Sequence, residues 1–157
     1  MTDAAIRDQL AAVLAWKDAH ADFDAAIRNL PQDARGARPT GVPYSAWQLL
    51  EHLRIAQHDI LDFCLNADYE ALAWPDDFWP ASPQPPHAGA WDESIRLYRE
   101  DLASLQALAR NPKIDLTATI PHGTGQTYLR ELLLVADHTA YHVGELVILR
   151  RLLGLWH

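Results

Sequence analysis

His138 and His142, in the segment His138-Thr-Ala-Tyr-His142, are the residues of this chain best spaced for chemistry. On an α-helix, residues four apart stack on one face, one turn above the other, so two such imidazoles can converge on one metal ion. The apolar stripe Val135, His138, His142, Leu146, Leu149 runs through both histidines and points them into the fold. A third inward-facing histidine completes the pattern. His52 lies three residues after Leu49 and four before Ala56, on the apolar face of its own helix. His58 is six residues further on, rotated about 240° round the helix, and is expected in solvent. Cys64 is twelve residues from His52, roughly 18 Å along the axis. It is too distant to share an ion and reads as a small core residue.

Three neutral imidazoles from two helices hold a divalent cation and leave at least one position open, the pattern of a reactive rather than a structural site. Imidazole suits zinc, nickel, iron and manganese alike. The competing reading makes His52, His138 and His142 separate core residues, each satisfied by hydrogen bonds. Burying three titratable rings without partners is costly, which favours the metal. Ligating imidazoles commonly donate their second ring N–H to a carboxylate or carbonyl, and Glu51, Asp137 and Glu145 are all near enough in sequence to serve. Glu145 and Asp137 are also candidate proton carriers. Tyr141 is a candidate phenolic donor, with packing between helices as its alternative. Gly144 costs roughly 1 kcal/mol against alanine inside a helix and suggests a close helix approach. His20 is placed equally well facing the bundle or the surface, while His87 and His122 fall in loops. The glycines beside His122 lack the Gly-Lys-Ser/Thr of a phosphate loop, and His138 lacks the following Glu of the zinc-protease motif, which argues against peptide hydrolysis.

Four helical segments must position these residues. The first spans about Asp3 to Asn29, with Ile6, Leu10, Val13, Leu14 and Ile27 on its apolar face. The second opens on a capping box, Ser45 with Gln48, and continues through Leu49, Leu53, Ala56, Ile60 and Phe63. The third carries Trp91, Ile95, Tyr98, Leu102, Leu105 and Leu108 at helical spacing. The fourth spans about Thr127 to Leu153, with Gly154 placed to end it. No stretch sustains the period-two alternation of a half-buried strand, so the expected fold class is all-α, a four-helix bundle forming a single domain over residues 1–157. Its connections are long: Pro31 to Tyr44, Leu72 to Ala90 and Asn111 to Gln126. The second holds five prolines together with Trp74, Phe78 and Trp79, apolar mass expected to lie over the bundle.

A formal charge of −8 argues against nonspecific nucleic-acid binding, which draws on a surplus of Lys and Arg. No apolar stretch reads as a membrane span, and Met1-Thr2-Asp3-Ala4 lacks the basic and apolar regions of a signal peptide. A single cysteine excludes an intrachain disulfide. These features together lead to the expectation of a cytoplasmic protein, free of membrane and nucleic acid.

The stretches Tyr44-Ser-Ala-Trp-Gln-Leu-Leu-Glu-His52-Leu-Arg, Thr127 through His138-Thr-Ala-Tyr-His142 to Val147, and Leu149-Arg-Arg-Leu-Leu-Gly-Leu-Trp156 resemble the DinB-like family, also described as DinB/YfiT-like metalloenzymes. The resemblance covers nearly the whole length. It implies an up-down-down-up four-helix bundle with a divalent metal held by one histidine of helix two and an H-x-x-x-H pair of helix four. Those positions fall on His52, His138 and His142. It also implies a homodimer. Some relatives are bacillithiol S-transferases or mycothiol-dependent maleylpyruvate isomerases, so the resemblance implies a thiol-dependent S-transferase that joins a low-molecular-weight thiol to a small electrophilic substrate. Arg54, Arg130 and Arg150 are the candidates for a basic rim around an anionic thiol. The alternatives are a metal-dependent hydrolase that activates water, with Glu145 or Asp137 handling protons, and a noncatalytic metal-binding bundle.

Overall fold

The structure is a computed structural model that describes residues 3–156; Met1 and Thr2, where the N-terminal reading begins, and His157 lie outside them. It is all-helical. The helices are α1 (Asp3–Val13), α2 (Phe23–Ile27), α3 (Ala46–Leu65), α4 (Ala90–Arg110) and α5 (Tyr128–Leu152). Short 3-10 turns at Gln32–Ala34 and Asp76–Phe78 punctuate two of the loops.

The expected first helix is two. Helix α1 stops at Val13, and the chain runs irregularly until Asp22, whose side chain accepts a hydrogen bond from the Ala25 amide and starts α2 afresh. An aspartate at an N-cap offers the backbone an alternative to continuing a helix, and here it takes that alternative. Asn29, at φ 54°, then turns the chain in the left-handed region before Pro31. The other three boundaries match the periodicity. Both arms of the Ser45/Gln48 capping box are present on α3, Thr127 caps α5 through the Arg130 amide, and Gly154, at φ 70°, ends α5 while the Leu155 amide reaches back to the Arg150 carbonyl.

Contacts along the helices give their directions. Arg7 reaches the Ala109 carbonyl while Ala11 accepts from Gln106, so α1 and α4 are antiparallel. Gln57 donates to Tyr98 and His58 pairs with Asp101, while Glu51 lies near Ser94 earlier on both helices, so α3 and α4 run parallel. His52 meets His142 while Cys64 lies near Glu131, so α3 and α5 are antiparallel. Counting α1 with α2 as one arm, the order is up-down-down-up.

The apolar interior is in two parts. One gathers Leu49, Leu50, Leu53, Trp91, Val143 and Leu146, and the other Leu14, Ile60, Leu105, Leu108, Leu132 and Val135. Along α5, His138 and His142 fall between these two parts, while His52 on α3 lies within the first, between Leu50 and Leu53. Helix α5 departs from the expectation that no segment suits a membrane. By length and a mean hydropathy of 1.3 it is the one described helix that qualifies. Its inner face packs on α2 and α3, while Leu133, Tyr141, Ile148 and Leu152 on the outer face are each at least half exposed.

Two buried arginines secure helix ends. Arg7 donates to the carbonyls of Ala109, Asn111 and Ile114 at the end of α4. Arg150 donates to those of Ala25, Ala26 and Arg28 at the end of α2, and to Leu155. A fork of five N–H donors satisfies several helix-terminal carbonyls at once.

Candidate metal centre

His52 is carried by the middle of α3, and His138 and His142 by successive turns of α5. Nε2 of His52 lies 3.0 Å from Nε2 of His138 and 3.1 Å from Nε2 of His142. The three rings stand edge-on to one another at 63 to 80° with centroids 4.5 to 4.9 Å apart, and one nitrogen of each lies within 4.8 Å of the others.

Hydrogen bonds on the outer nitrogens decide what the inner ones are. His52 Nδ1 lies 3.0 Å from the Phe78 carbonyl, and His142 Nδ1 lies 2.6 Å from Glu145 Oε2. A carbonyl and a carboxylate only accept, so in both rings Nδ1 carries the proton. A neutral imidazole has one N–H, and Nε2 of each ring is therefore a bare lone pair. Two lone pairs facing each other at 3.1 Å have no proton to share and repel, and a cation between them removes the conflict. Nitrogens about 2.1 Å from one tetrahedral ion lie roughly 3.4 Å apart, close to the separations present here. The donor set fits a divalent ion.

Burial enforces the neutral state. It pushes the His52 imidazole down to about 4, with the neighbouring His142 adding to the fall and the Phe78 carbonyl partly opposing it. It pushes His138 down to about 3, with His142 and His52 both contributing. At neutral pH neither has a proton for a metal to displace.

The 72–90 loop supplies the rest of the surroundings. Trp79 stacks on His52 at 3.8 Å and 5°, and Tyr44 stacks on the other neighbour side of Trp79 at 3.8 Å. The loop is held to the start of α3 by Ser45 Oγ donating to the Pro83 carbonyl at 2.6 Å and Gln48 Nε2 donating to Pro80 at 2.8 Å. Trp74 sits at the edge, 6.4 Å from the His52 ring and 70 % exposed. Phe78 contributes its carbonyl.

The remaining candidates separate by position. Glu145 adjoins the triad through His142. Tyr141 is 66 % exposed and stands edge-on to His142 at 4.9 Å. Asp137 is exposed and borders a cavity formed with α4 and the residues around Val13 to Asp24, away from the three Nε2 atoms. Glu51 is ion-paired with Arg54 at 2.8 Å; burial raises its carboxyl, and Arg54 together with the Ser94 hydroxyl outweighs that to hold it below the usual range. The suggested basic rim is not formed by the three arginines named for it. Arg54 is turned to Glu51, Arg130 pairs with Glu131, and Arg150 holds the end of α2. Gly144 serves no helix contact within the chain, because a Cβ there would meet open space. His58 is exposed against Asp101, His20 and His87 are exposed, and His122 bonds the Phe63 carbonyl three turns of α3 away from His52. Cys64 is buried, and burial raises its thiol to about 12. The Phe78 carbonyl and the Trp79 stack had no signature in the histidine spacing; the aromatic density of the loop was the one available sign.

A family model described as the DinB superfamily matches residues 15–146. Searches of the curated proteins and of the solved structures found no significant match.

Proposed function

The chain belongs to the DinB superfamily, and from that premise we propose that it is a metal-dependent S-transferase that joins a low-molecular-weight thiol to a small electrophile. The observation that carries the metal is the pair of outward hydrogen bonds, His52 to Phe78 and His142 to Glu145, which leave the Nε2 lone pairs facing inward. His52, His138 and His142 would hold the ion, and a divalent ion with an open position lowers the pKa of a thiol and makes it nucleophilic at neutral pH. The thiol would yield its proton to solvent, the S–C bond would form at the electrophilic carbon, and the leaving group would depart with the electron pair of the broken bond and take up a proton from solvent. Supporting a supplied thiol is the lack of an attacker within the site: Cys64 is buried on α3 three turns from His52, with its thiol pushed up to about 12. Glu145 fixes His142, Phe78 fixes His52, and Trp79 covers one face of the His52 ring against water.

Hydrolysis is the second reading, with metal-activated water as the nucleophile; Glu145 is the carboxylate nearest the triad, bonded to the outer Nδ1 of His142 and partly open to solvent. We include a homodimer in the proposal. Its support is the outer face of α5, where Leu133, Tyr141, Ile148 and Leu152 form an apolar stripe that the chain itself does not cover.

The test is metal analysis of the purified protein joined to a screen of electrophiles with several low-molecular-weight thiols. Loss of the free sulfhydryl that requires metal and vanishes with chelator selects the transferase. Turnover of ester or amide substrates without thiol selects the hydrolase. A protein that takes up no divalent ion at micromolar concentration overturns both.

A further inference from the structure

A cavity of about 280 Å³ lies on the side of α5 facing α1 and α4, bounded by the irregular chain between Val13 and Phe23. It exists where the N-terminal arm leaves the helix, and its wall is mostly apolar, with Leu14, Phe23, Leu102, Ala136, Ala140 and Val143. A dry cavity of roughly 150 Å³ accommodates benzene, so this one has room for a fused or substituted ring.

Its polar groups are few and specific. Tyr98 is 1 % exposed, lies flat against Phe23 with centroids 3.9 Å apart, and its hydroxyl is 3.4 Å from Thr139 Oγ1. That separation is far beyond the ~2.7–2.8 Å typical of hydroxyl pairs, so both groups retain capacity for a third partner. Burial raises the Tyr98 phenol to about 12, which keeps its proton available to donate. Both residues line the cavity. The charges around it are Asp22, Asp24 and Asp137 against Arg99, and Arg99 is already paired with Asp24 at 2.7 Å. An anion is disfavoured there.

We propose that this cavity binds a small neutral aromatic molecule bearing a hydroxyl group, its ring against Phe23, Leu102 and Val143 and its oxygen within reach of the Tyr98 and Thr139 hydroxyls. The site is separate from the histidine triad, and its occupancy does not require a metal.

The experiment is calorimetric titration of the full chain, metal-loaded and chelator-treated, with 2-naphthol, naphthalene and 2-naphthoate as probes. Saturable binding of one 2-naphthol per chain is expected in both forms, with 2-naphthoate at least about tenfold weaker. Ala140→Phe and Ala19→Phe each add a ring at the cavity lining, one on α5 and one on the irregular chain, and each is expected to weaken binding at least about tenfold. Ala19 is exposed, so its variant folds even where Ala140→Phe does not. Tyr98→Phe is expected to weaken 2-naphthol roughly three- to tenfold and leave naphthalene unchanged. Absence of saturable 2-naphthol binding by the folded protein overturns the proposal. So does wild-type affinity in every folded filling variant, or equal affinity for the naphthoate. Binding in both metal states, alongside a failed thiol assay, would separate this site's fate from that of the transferase reading.

Discussion

His138 has no partner on its outer nitrogen among the hydrogen bonds described, so its place in the triad rests on Nε2 alone. Its replacement by alanine is expected to abolish tight metal binding; unchanged stoichiometry and affinity by elemental analysis and calorimetry would show that the ion sits elsewhere. Glu145 acts at one remove. Glu145→Gln keeps an acceptor for His142 Nδ1–H and removes the charge, and the expected result is a metal affinity about 10- to 100-fold weaker at unchanged stoichiometry, read by competition with a chromophoric chelator. The three histidines were legible in the sequence because each sits on a helix, where spacing translates directly into direction. Glu145 was one of three carboxylates that spacing alone could not separate, and only the 2.6 Å contact with His142 distinguishes it from the exposed Asp137 and the ion-paired Glu51. The partner of His52 was not legible at all. A backbone carbonyl 26 residues away in a loop has no residue type to betray it.

At the scale of elements, caps decided which boundaries could be read. The Ser45/Gln48 box, Thr127 and Gly154 mark their helix ends in residue types, and α3 and α5 begin and end as the periodicity requires. The N-terminal arm carried a weaker signal. Leu14 and Ile27 extend the apolar pattern past Val13, and Asp22 overrides it by capping a second helix. Arg150 shows how a residue on a readable helix can have an unreadable task. Its position near the end of α5 suggested a basic rim, whereas the guanidinium is buried among four carbonyls, and burial lowers its pKa. Arg150→Met removes the donors and strands those acceptors. The expected loss is about 2–3 kcal/mol of unfolding free energy, measured as a lower urea midpoint at unchanged slope; a midpoint within error of the parent would show that water serves those carbonyls equally well.

Across the whole molecule, the depressed imidazoles set a pH dependence. His52 and His138 hold their protons only below about 4 and about 3 when folded, against an ordinary value of about 6.5. Between roughly pH 6.5 and 4 the unfolded chain therefore binds more protons than the folded one, and stability rises with pH through that window. The metal-free protein is expected to lose stability as pH falls from 7.5 to 5, by urea unfolding, and His138→Gln to flatten that decline. A metal-free parent with a flat profile over that range would contradict the neutral triad. Assembly is tested at the same scale. Ile148→Glu places a charge on the outer stripe of α5, and sedimentation is expected to show a dimer for the parent chain and a monomer for the variant; identical sedimentation of the two would remove that face from the assembly.

The bond from His52 to the Phe78 carbonyl joins a helix residue to a loop that is otherwise pinned at Ser45 and Gln48. Ion binding and loop docking therefore share one free energy, and reciprocity follows. Whatever factor of affinity the docked loop gives the ion, the ion returns to the loop as resistance to opening. With an ion in the triad, the rate at which a protease nicks residues 72–90 would measure how tightly that ion is held. The proline-rich connection, which looks like packing material, would then report on the triad from outside.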